Sequence, residues 1–344
     1  MIPVAEGYSF PAEWSPHKAT WLSWPHNPHT WPNGLEKIYP TLISLIKIIS
    51  QEEDVCIQVN DRATQQEVEE LLRQYNVPSM NVKFFYHPTN DAWCRDHGPA
   101  FLTNPKSRKK LVVNWDYNAW GGKYPPYDLD NDIPEKIAKA RDIEMVSPGL
   151  VLEGGSVEFN GAETLLTTSC CLLHKNRNPG HKQAEITEKL CDYYGVKQVL
   201  WLHHGIAGDD TDGHIDDICR FVKDDLVVAA VEQNPADCNF QPLQENLQLL
   251  NDMRLWDGRP LKVTALPMPK PLFWKEQRLP ASYANFYMCN AAVIVPTFDD
   301  PQDQVALSSL QELITDRPVL GLDSRELVVG LGSFHCLTQQ EPSL

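Results

Sequence analysis

The sequence predicts a mixed α/β architecture built as one continuous domain over residues 1–344. Three observations carry that expectation. Apolar runs of strand length alternate with apolar stripes at helical spacing along the whole chain. No Gly/Ser linker, charge block or low-complexity tract divides it, and the 27 prolines are spread over many loops. Polar motifs recur near Asp96, Glu153, His214, Asn285 and Cys336, at separations of 57, 61, 71 and 51 residues, a cadence that suits about five structural units each sending a loop to a common centre.

The elements follow in order. Ile38, Leu42, Leu45 and Ile49 form an apolar stripe at helical spacing. Residues 55–60 read as a strand, 62–75 as a helix with Val68, Leu71, Leu72 and Tyr75 on one face, and 82–86 as a strand. A further strand is expected at 100–103. Residues 156–159 and 163–167 flank Asn160-Gly161, which reads as a hairpin on a type I′ turn because Asn-Gly tolerates the positive φ angles that turn demands. Ile186, Leu190 and Tyr193 mark a helix stopped by Gly195. Residues 218–222 read as a strand, and Leu243, Leu247 and Leu250 as another helical face.

Charge narrows the function. Acidic residues number 46 against 30 basic, a net charge of -16, which disfavours nucleic acid and anionic lipid and favours cationic ligands. A hydrophobic content of 42% with 22% charged residues excludes a disordered chain. No uncharged apolar run approaches the roughly 18 residues that span a bilayer, and the first residues lack a basic segment followed by an apolar stretch, so the expected location is cytoplasmic. Nine cysteines without a C-x-x-C spacing argue against a disulfide framework and a thiolate zinc site, and predict reduced thiols.

Residues 208–217 (Gly208-Asp209-Asp210-Thr211-Asp212-Gly213-His214-Ile215-Asp216-Asp217) hold five aspartates and one histidine. A solvated acidic loop is one reading. A calcium loop is a second, but aligning Asp210, Asp212 and Gly213 to the EF-hand pattern puts Gly208 first and Cys219 twelfth, so the match fails. A third makes His214 a general acid/base; were the following strand to begin early enough, His214 and Asp216 would share a face. Trp93-Cys94-Arg95-Asp96 allows either an Arg95–Asp96 ion pair or a site in which Asp96 grips a cationic head while Trp93 packs beside it. Glu153 precedes Gly154-Gly155, glycines that allow close backbone approach or simply a turn. Cys336 lies in the glycine-rich polar segment Gly330-Leu331-Gly332-Ser333-Phe334-His335-Cys336. Exposure near positive charge there would activate its thiol; otherwise it is a buried cysteine at the end of a strand.

Together these segments resemble the agmatine deiminase family and its bacterial peptidyl-arginine deiminase relatives. The resemblance runs from Glu13-Trp14-x-Pro16-His17 and Trp21-Leu22-x-Trp24-Pro25 to His335-Cys336-x-Thr338-Gln339-Gln340. Between them stand Trp93-x-Arg95-Asp96-x-Gly98-Pro99, Asn118-Ala119-Trp120-Gly121-Gly122, Glu153-Gly154-Gly155-Ser156, Lys175-Asn176-Arg177-Asn178-Pro179, Thr211-Asp212-Gly213-His214-x-Asp216 and Ser282-Tyr283-x-Asn285-Phe286-Tyr287. Two departures are Gly332-Ser333-Phe334 in place of a Gly-Gly-Asn-type lead, and Asp210 where some relatives carry Glu.

The resemblance implies a five-unit pseudo-symmetric α/β propeller with a central active site, and conversion of agmatine to N-carbamoylputrescine and ammonia without metal or organic cofactor. It implies a catalytic set of Cys336, His214, Asp96, Asp216 and Glu153. Cys336 attacks the guanidinium carbon, Asp96 and Asp216 bind its nitrogens, and His214 protonates the departing nitrogen as ammonia leaves and then activates water. Glu153 orients His214 and favours its protonated form. Trp93 and Trp120 flank the methylenes, and Asp210, directly or through a water, meets the ammonium. Little positive charge beyond Arg95 and Arg220 is expected beside these acids, which disfavours free arginine. The alternatives are deimination of peptidyl-arginine or another guanidino compound, a cysteine amidase or peptidase, and a non-catalytic polyamine binder. Homo-oligomerisation is left open.

Overall fold

The computed structural model describes residues 1–344. Strands β1 (His17–Ser23), β2 (Asp54–Val59) and β3 (Val82–Tyr86) run parallel, bridged by helices α1 (Tyr39–Ile49) and α2 (Arg62–Gln74). Parallel neighbours cannot be joined by a tight turn, so each pair needs such a crossover. The second sheet pairs β4 (Ala100–Asn104) antiparallel with β5 (Lys109–Val113), and β5 parallel with β6 (Glu144–Val146) across α3 (Ile133–Arg141).

The same plan recurs. In the third sheet β7 (Val157–Phe159), β8 (Thr164–Thr168) and β9 (Gln198–Leu202) take α4 (Gln183–Tyr194) as crossover. In the fourth, β10 (Cys219–Lys223), β11 (Leu226–Val231) and β12 (Lys262–Pro267) take α5 (Phe240–Asp252). After a small hairpin of β13 (Phe273–Trp274) and β14 (Gln277–Arg278), the fifth sheet joins β15 (Tyr287–Met288), β16 (Val293–Thr297) and β17 (Val319–Asp323) through α6 (Gln302–Leu313). The last strand, β18 (Thr338–Pro342), pairs antiparallel with β1, so the first sheet takes its antiparallel member from the other end of the chain.

The expected apolar faces do the packing. Ile38, Leu42, Leu45 and Ile49 are buried under α1, and Val68 and Leu72 under α2, while Tyr75 lies past that helix and is exposed. Asp61 caps α2 by accepting the Thr64 N–H at 2.8 Å. Gly195 ends α4 with φ +70°, and Tyr194, rather than the expected Tyr193, is the fully buried aromatic there. The largest apolar cluster lies under α1 and α2 and extends to Trp93 and Cys336. No helix is long and apolar enough to cross a membrane.

Two local expectations are corrected. The hairpin of β7 and β8 forms, but its turn is not type I′: Gly161 has φ +68° while Asn160 keeps a negative φ, and the Asn160 carboxamide accepts the Ala162 and Thr164 N–H groups to brace a longer loop. The strand expected to carry His214 and Asp216 begins only at Cys219, so the two residues share no strand face. Instead His214 caps a single tight turn, Ile215–Asp217, that contains Asp216.

That turn belongs to a pattern. Each antiparallel strand follows a segment bearing a candidate residue: Asp96 in Cys94–His97 before β4, Glu153 before Gly154–Ser156 and β7, His214 and Asp216 before β10, Asn285 before β15, and Cys336 in Phe334–Leu337 before β18. The cadence of the motifs is the cadence of the sheets.

Candidate active site

Gly155 marks the meeting point. A Cβ placed on it would lie 2.6 Å from His214 Nδ1, 2.9 Å from Asp96 Oδ1 and 3.0 Å from Asp216 Oδ2, so only glycine leaves room for three side chains from two other turns. Its N–H donates to Asp96 Oδ1 at 2.9 Å, and the Trp120 indole N–H donates to Asp96 Oδ2 at 2.9 Å. Trp120 reaches Asp96 from a left-handed backbone, φ +53°, a conformation that costs a bulky residue on the order of 1 kcal/mol and persists only where its surroundings impose it. Burial, Asp216 and Glu153 together hold the Asp96 carboxyl well above its usual range. A cation is the missing counterpart.

Cys336 Sγ lies 3.6 Å from Asp216 Oδ2 and accepts the Asn285 carboxamide N–H at 3.0 Å. Of the two readings of Cys336, the exposed thiol beside positive charge is not the one found. Cys336 is 8% exposed, and burial followed by Asp216, Asp217 and Asp96 pushes its pKa well above the ordinary thiol value. The Cys336 thiol is therefore neutral.

His214 differs from expectation in the same direction. Its Nδ1 lies 3.7 Å from Asp96 Oδ1 and its Nε2 3.9 Å from Glu153 Oε2. Burial outweighs the carboxylates and lowers its pKa to about 3, so the imidazole is neutral rather than held protonated by Glu153. Glu153 already has a counter-ion, because Arg177 Nε donates to its Oε1 at 2.6 Å. Arg177 also reaches Asp212 Oδ2 at 2.7 Å and the Thr211 carbonyl at 2.7 Å, tying the aspartate-rich segment to the Glu153 turn. That segment is therefore no solvated loop: Asp216 and Asp217 are buried, and Asp209 accepts the Thr211 and His214 N–H groups.

Behind Asp216 lies a chain of buried charge. His335 donates through Nδ1 to Asp216 Oδ2 at 2.7 Å and through Nε2 to Glu13 Oε2 at 2.8 Å. Both ring nitrogens thus face carboxylates. Glu13 also meets Arg220 at 2.9 Å and Arg95 at 3.5 Å. Arg95 therefore serves Glu13 and Gln340 (2.8 Å), and the Arg95–Asp96 ion pair does not form.

A cavity of about 220 Å³ opens onto Cys336 and Asp96, with Trp93 and Trp120 among its buried lining and Asp210 and Tyr124 at its more exposed rim. The Tyr124 hydroxyl donates to Asp210 Oδ2. Asp91 also lines it, and no Lys or Arg does. Cations do stand nearby, contrary to expectation, but Lys123 and Arg177 are each paired with Asp212.

All eight expected residues are thus brought together, five around the Gly155 and Cys336 centre and three around the cavity. Sequence reasoning missed the roles of Arg177, Asn285, Glu13 and His335. Each stands in a quoted motif, but their partners lie far along the chain: Glu13 and His335 are 322 residues apart.

The comparisons define the class of protein first. The pattern of the Porphyromonas-type peptidyl-arginine deiminase family matches residues 9–342, and the chain belongs to that family. Among its relatives, the agmatine deiminase of Pseudomonas syringae pv. tomato is 35% identical over 99% of this chain and 97% of its own. The solved agmatine deiminase of Enterococcus faecalis is similar at a TM-score of 0.92 with 33% identity, covering 99% of this chain and 98% of the other. A cysteine-to-serine variant of the C. jejuni agmatine deiminase with substrate bound is similar at 0.88 with 32% identity, covering 97% and 96%.

Proposed function

We propose that the chain is an agmatine deiminase that hydrolyses the guanidino group to N-carbamoylputrescine and ammonia through a covalent Cys336 intermediate. One observation carries the reading: Asp96 and Asp216 converge with His214 on Gly155, beside the Cys336 sulfur, at a cavity whose charged lining is acidic. The full-length agmatine deiminase relatives support the substrate.

In the free site Asp96 has no basic side chain paired with it, and burial with the neighbouring carboxylates keeps the thiol protonated. A bound guanidinium answers both needs, pairing with Asp96 and with the unpartnered Asp216 Oδ1 and lowering the thiol pKa by its own charge. Neutral His214 takes the thiol proton, and Cys336 sulfur bonds to the guanidinium carbon. His214 returns the proton to one NH2 group as the carbon–nitrogen bond breaks and ammonia leaves. Water then adds to the amidino-thioether, losing a proton to His214; carbon–sulfur cleavage frees the thiol and the ureido product.

Asp91, Asp210 and the two tryptophans suit an alkylammonium and offer no cation to a carboxylate. Around this site we infer a single catalytic domain in which the five sheets are five units of an α/β propeller with the site on its axis. The shared strand plan and the pairing of β18 with β1 support it. Nine cysteines without a disulfide suit a reducing, cytoplasmic setting.

An ammonia-release screen tests the substrate. Agmatine is expected to give the highest kcat/KM, with arginine and arginyl peptides well below; arginine or a peptide at or above agmatine overturns the assignment.

A further inference from the structure

Cys171 takes no part in the chemistry above. It sits in the turn Ser169–Leu172 that follows β8, fully buried. Its sulfur, an imidazole nitrogen of His214 and a carboxylate oxygen of Glu153 all lie within 4.8 Å of one another. A second observation singles out this cluster. Glu153 Oε2 and His214 Nε2 face each other at 3.9 Å, both buried and neither with a hydrogen-bond partner. Buried polar atoms are ordinarily paired, so two orphans aimed at one point, with a thiol beside them, describe a space shaped for a shared partner.

The donor set is sulfur, nitrogen and oxygen, the set that zinc accepts in tetrahedral sites. Ligand bonds of about 2.0 to 2.3 Å put tetrahedral neighbours roughly 3.3 to 3.8 Å apart, so the His214–Glu153 pair at 3.9 Å must close by about half an ångström and Cys171 by no more than about 1.5 Å. Arg177 holds Glu153 Oε1, leaving Oε2 as the ligand oxygen and orienting the carboxylate from behind. One thiolate and one carboxylate, the latter shared with Arg177, set two negative charges against a divalent cation in a site that would not tolerate an unpaired ion. Binding releases the thiol proton to solvent.

We propose that Glu153, Cys171 and His214 form an inhibitory site for zinc or a similarly thiophilic divalent cation. A metal on His214 Nε2 forces the ring proton onto Nδ1, the nitrogen that faces Asp96 and Gly155, and so removes the acceptor that must take the Cys336 proton. This consequence rests on His214 acting as the base; the binding itself does not.

The test uses the full-length protein stripped with EDTA. Zinc titrated against ammonia release is expected to inhibit the wild type, with reversal by EDTA. Cys171→Ala should turn over agmatine and require at least about tenfold more zinc for the same inhibition. Cobalt(II) should give a thiolate charge-transfer band in the wild type and in Cys336→Ser, absent in Cys171→Ala. If the alanine variant fails to fold, Cys171→Ser serves in its place. Unchanged zinc sensitivity without Cys171, a cobalt band lost in Cys336→Ser rather than Cys171→Ala, or no metal binding by the stripped wild type would each overturn the proposal. A wild type that binds cobalt as expected but releases no ammonia from any guanidino compound would leave the site standing and refute the deiminase reading.

Discussion

The two sides of the reacting centre differ in how their charged groups are countered. On the Asp216 side, His335, Glu13, Arg95 and Arg220 form a buried chain saturated with ion pairs at 2.7 to 3.5 Å, although Asp216 Oδ1 and Arg220 Nη2 make no hydrogen bond. On the His214 side, Nε2 and Glu153 Oε2 stand unpaired at 3.9 Å. A chain of ion pairs fixes geometry, because moving any member strands another in a low-dielectric interior. In the proposed mechanism the proton arrives and leaves on the His214 side. The lesson is a division of labour in which the saturated half fixes the Asp216 carboxylate and the other half keeps a neutral imidazole ready to change.

Breaking the saturated side should cost most. Asp216→Asn removes the charge that pairs with the substrate and also the one that pairs with His335, so kcat/KM for agmatine is expected to fall by about 3–5 kcal/mol equivalent, near 10²- to 10⁴-fold. Asp96→Asn should cost less, since it strands no partner like His335, although its one carboxamide oxygen can keep only one of the Gly155 and Trp120 N–H donors. Equal losses would mean that the His335 chain adds nothing to Asp216.

Gly155→Ala attacks the point where the two sides meet. The added methyl would stand 2.6 Å from His214 Nδ1 and must displace it. A fall in kcat on the order of 10²-fold with nearly unchanged Tm is expected, the penalty of a misplaced catalytic group. Near-native kcat would show that His214 is not used in this position.

The saturated side also makes an acid-stability prediction. Burial pushes the Glu13 carboxyl up, but Arg220, His335 and Arg95 together hold it below its ordinary value, and His335 does the same for Asp216 against burial. Groups with depressed folded pKa values contribute stability that is present above the unfolded values near 4 and lost as pH falls through the folded ones. Thermal unfolding of the wild type should therefore steepen below about pH 4.5. Glu13→Gln should start from a lower Tm and lose less of it on acidification; parallel curves would remove Glu13 from the account.

The smallest effect is expected at the rim. Asp210→Asn should raise KM for agmatine by less than about tenfold with little change in kcat, because an exposed charge contact contributes about 1 kcal/mol or less, alike in ground and transition states. A kcat loss larger than the KM change would move Asp210 into the chemistry.

Much of this was readable from residue order. Helical stripes such as Ile38 to Ile49 and the Gly195 stop are local patterns, and the structure keeps them. The convergent acids were legible because each sits in a short polar segment just ahead of a strand. What escaped was set by distance or by burial. Glu13 meets His335 across nearly the whole chain, a contact no window of sequence contains. The charge state of His214 was misjudged, and that of Cys336 left open, because neighbouring acids are visible in sequence while desolvation is not. His214 and Asp216 do meet, but on a tight turn rather than a strand face, since the strand begins only at Cys219.

The central claim is that a protonated, buried Cys336 becomes the nucleophile only when a guanidinium fills the acidic site. Rapid quench of the enzyme with agmatine, followed by intact-protein and peptide mass spectrometry, tests it most directly. The account predicts an adduct of agmatine less one ammonia on the peptide carrying Cys336, formed before steady state, absent from Cys336→Ser, and accompanied in that variant by loss of ammonia release of at least about 10³-fold. Ammonia release by the serine variant at a near-native rate, or an adduct on any other residue, would contradict it.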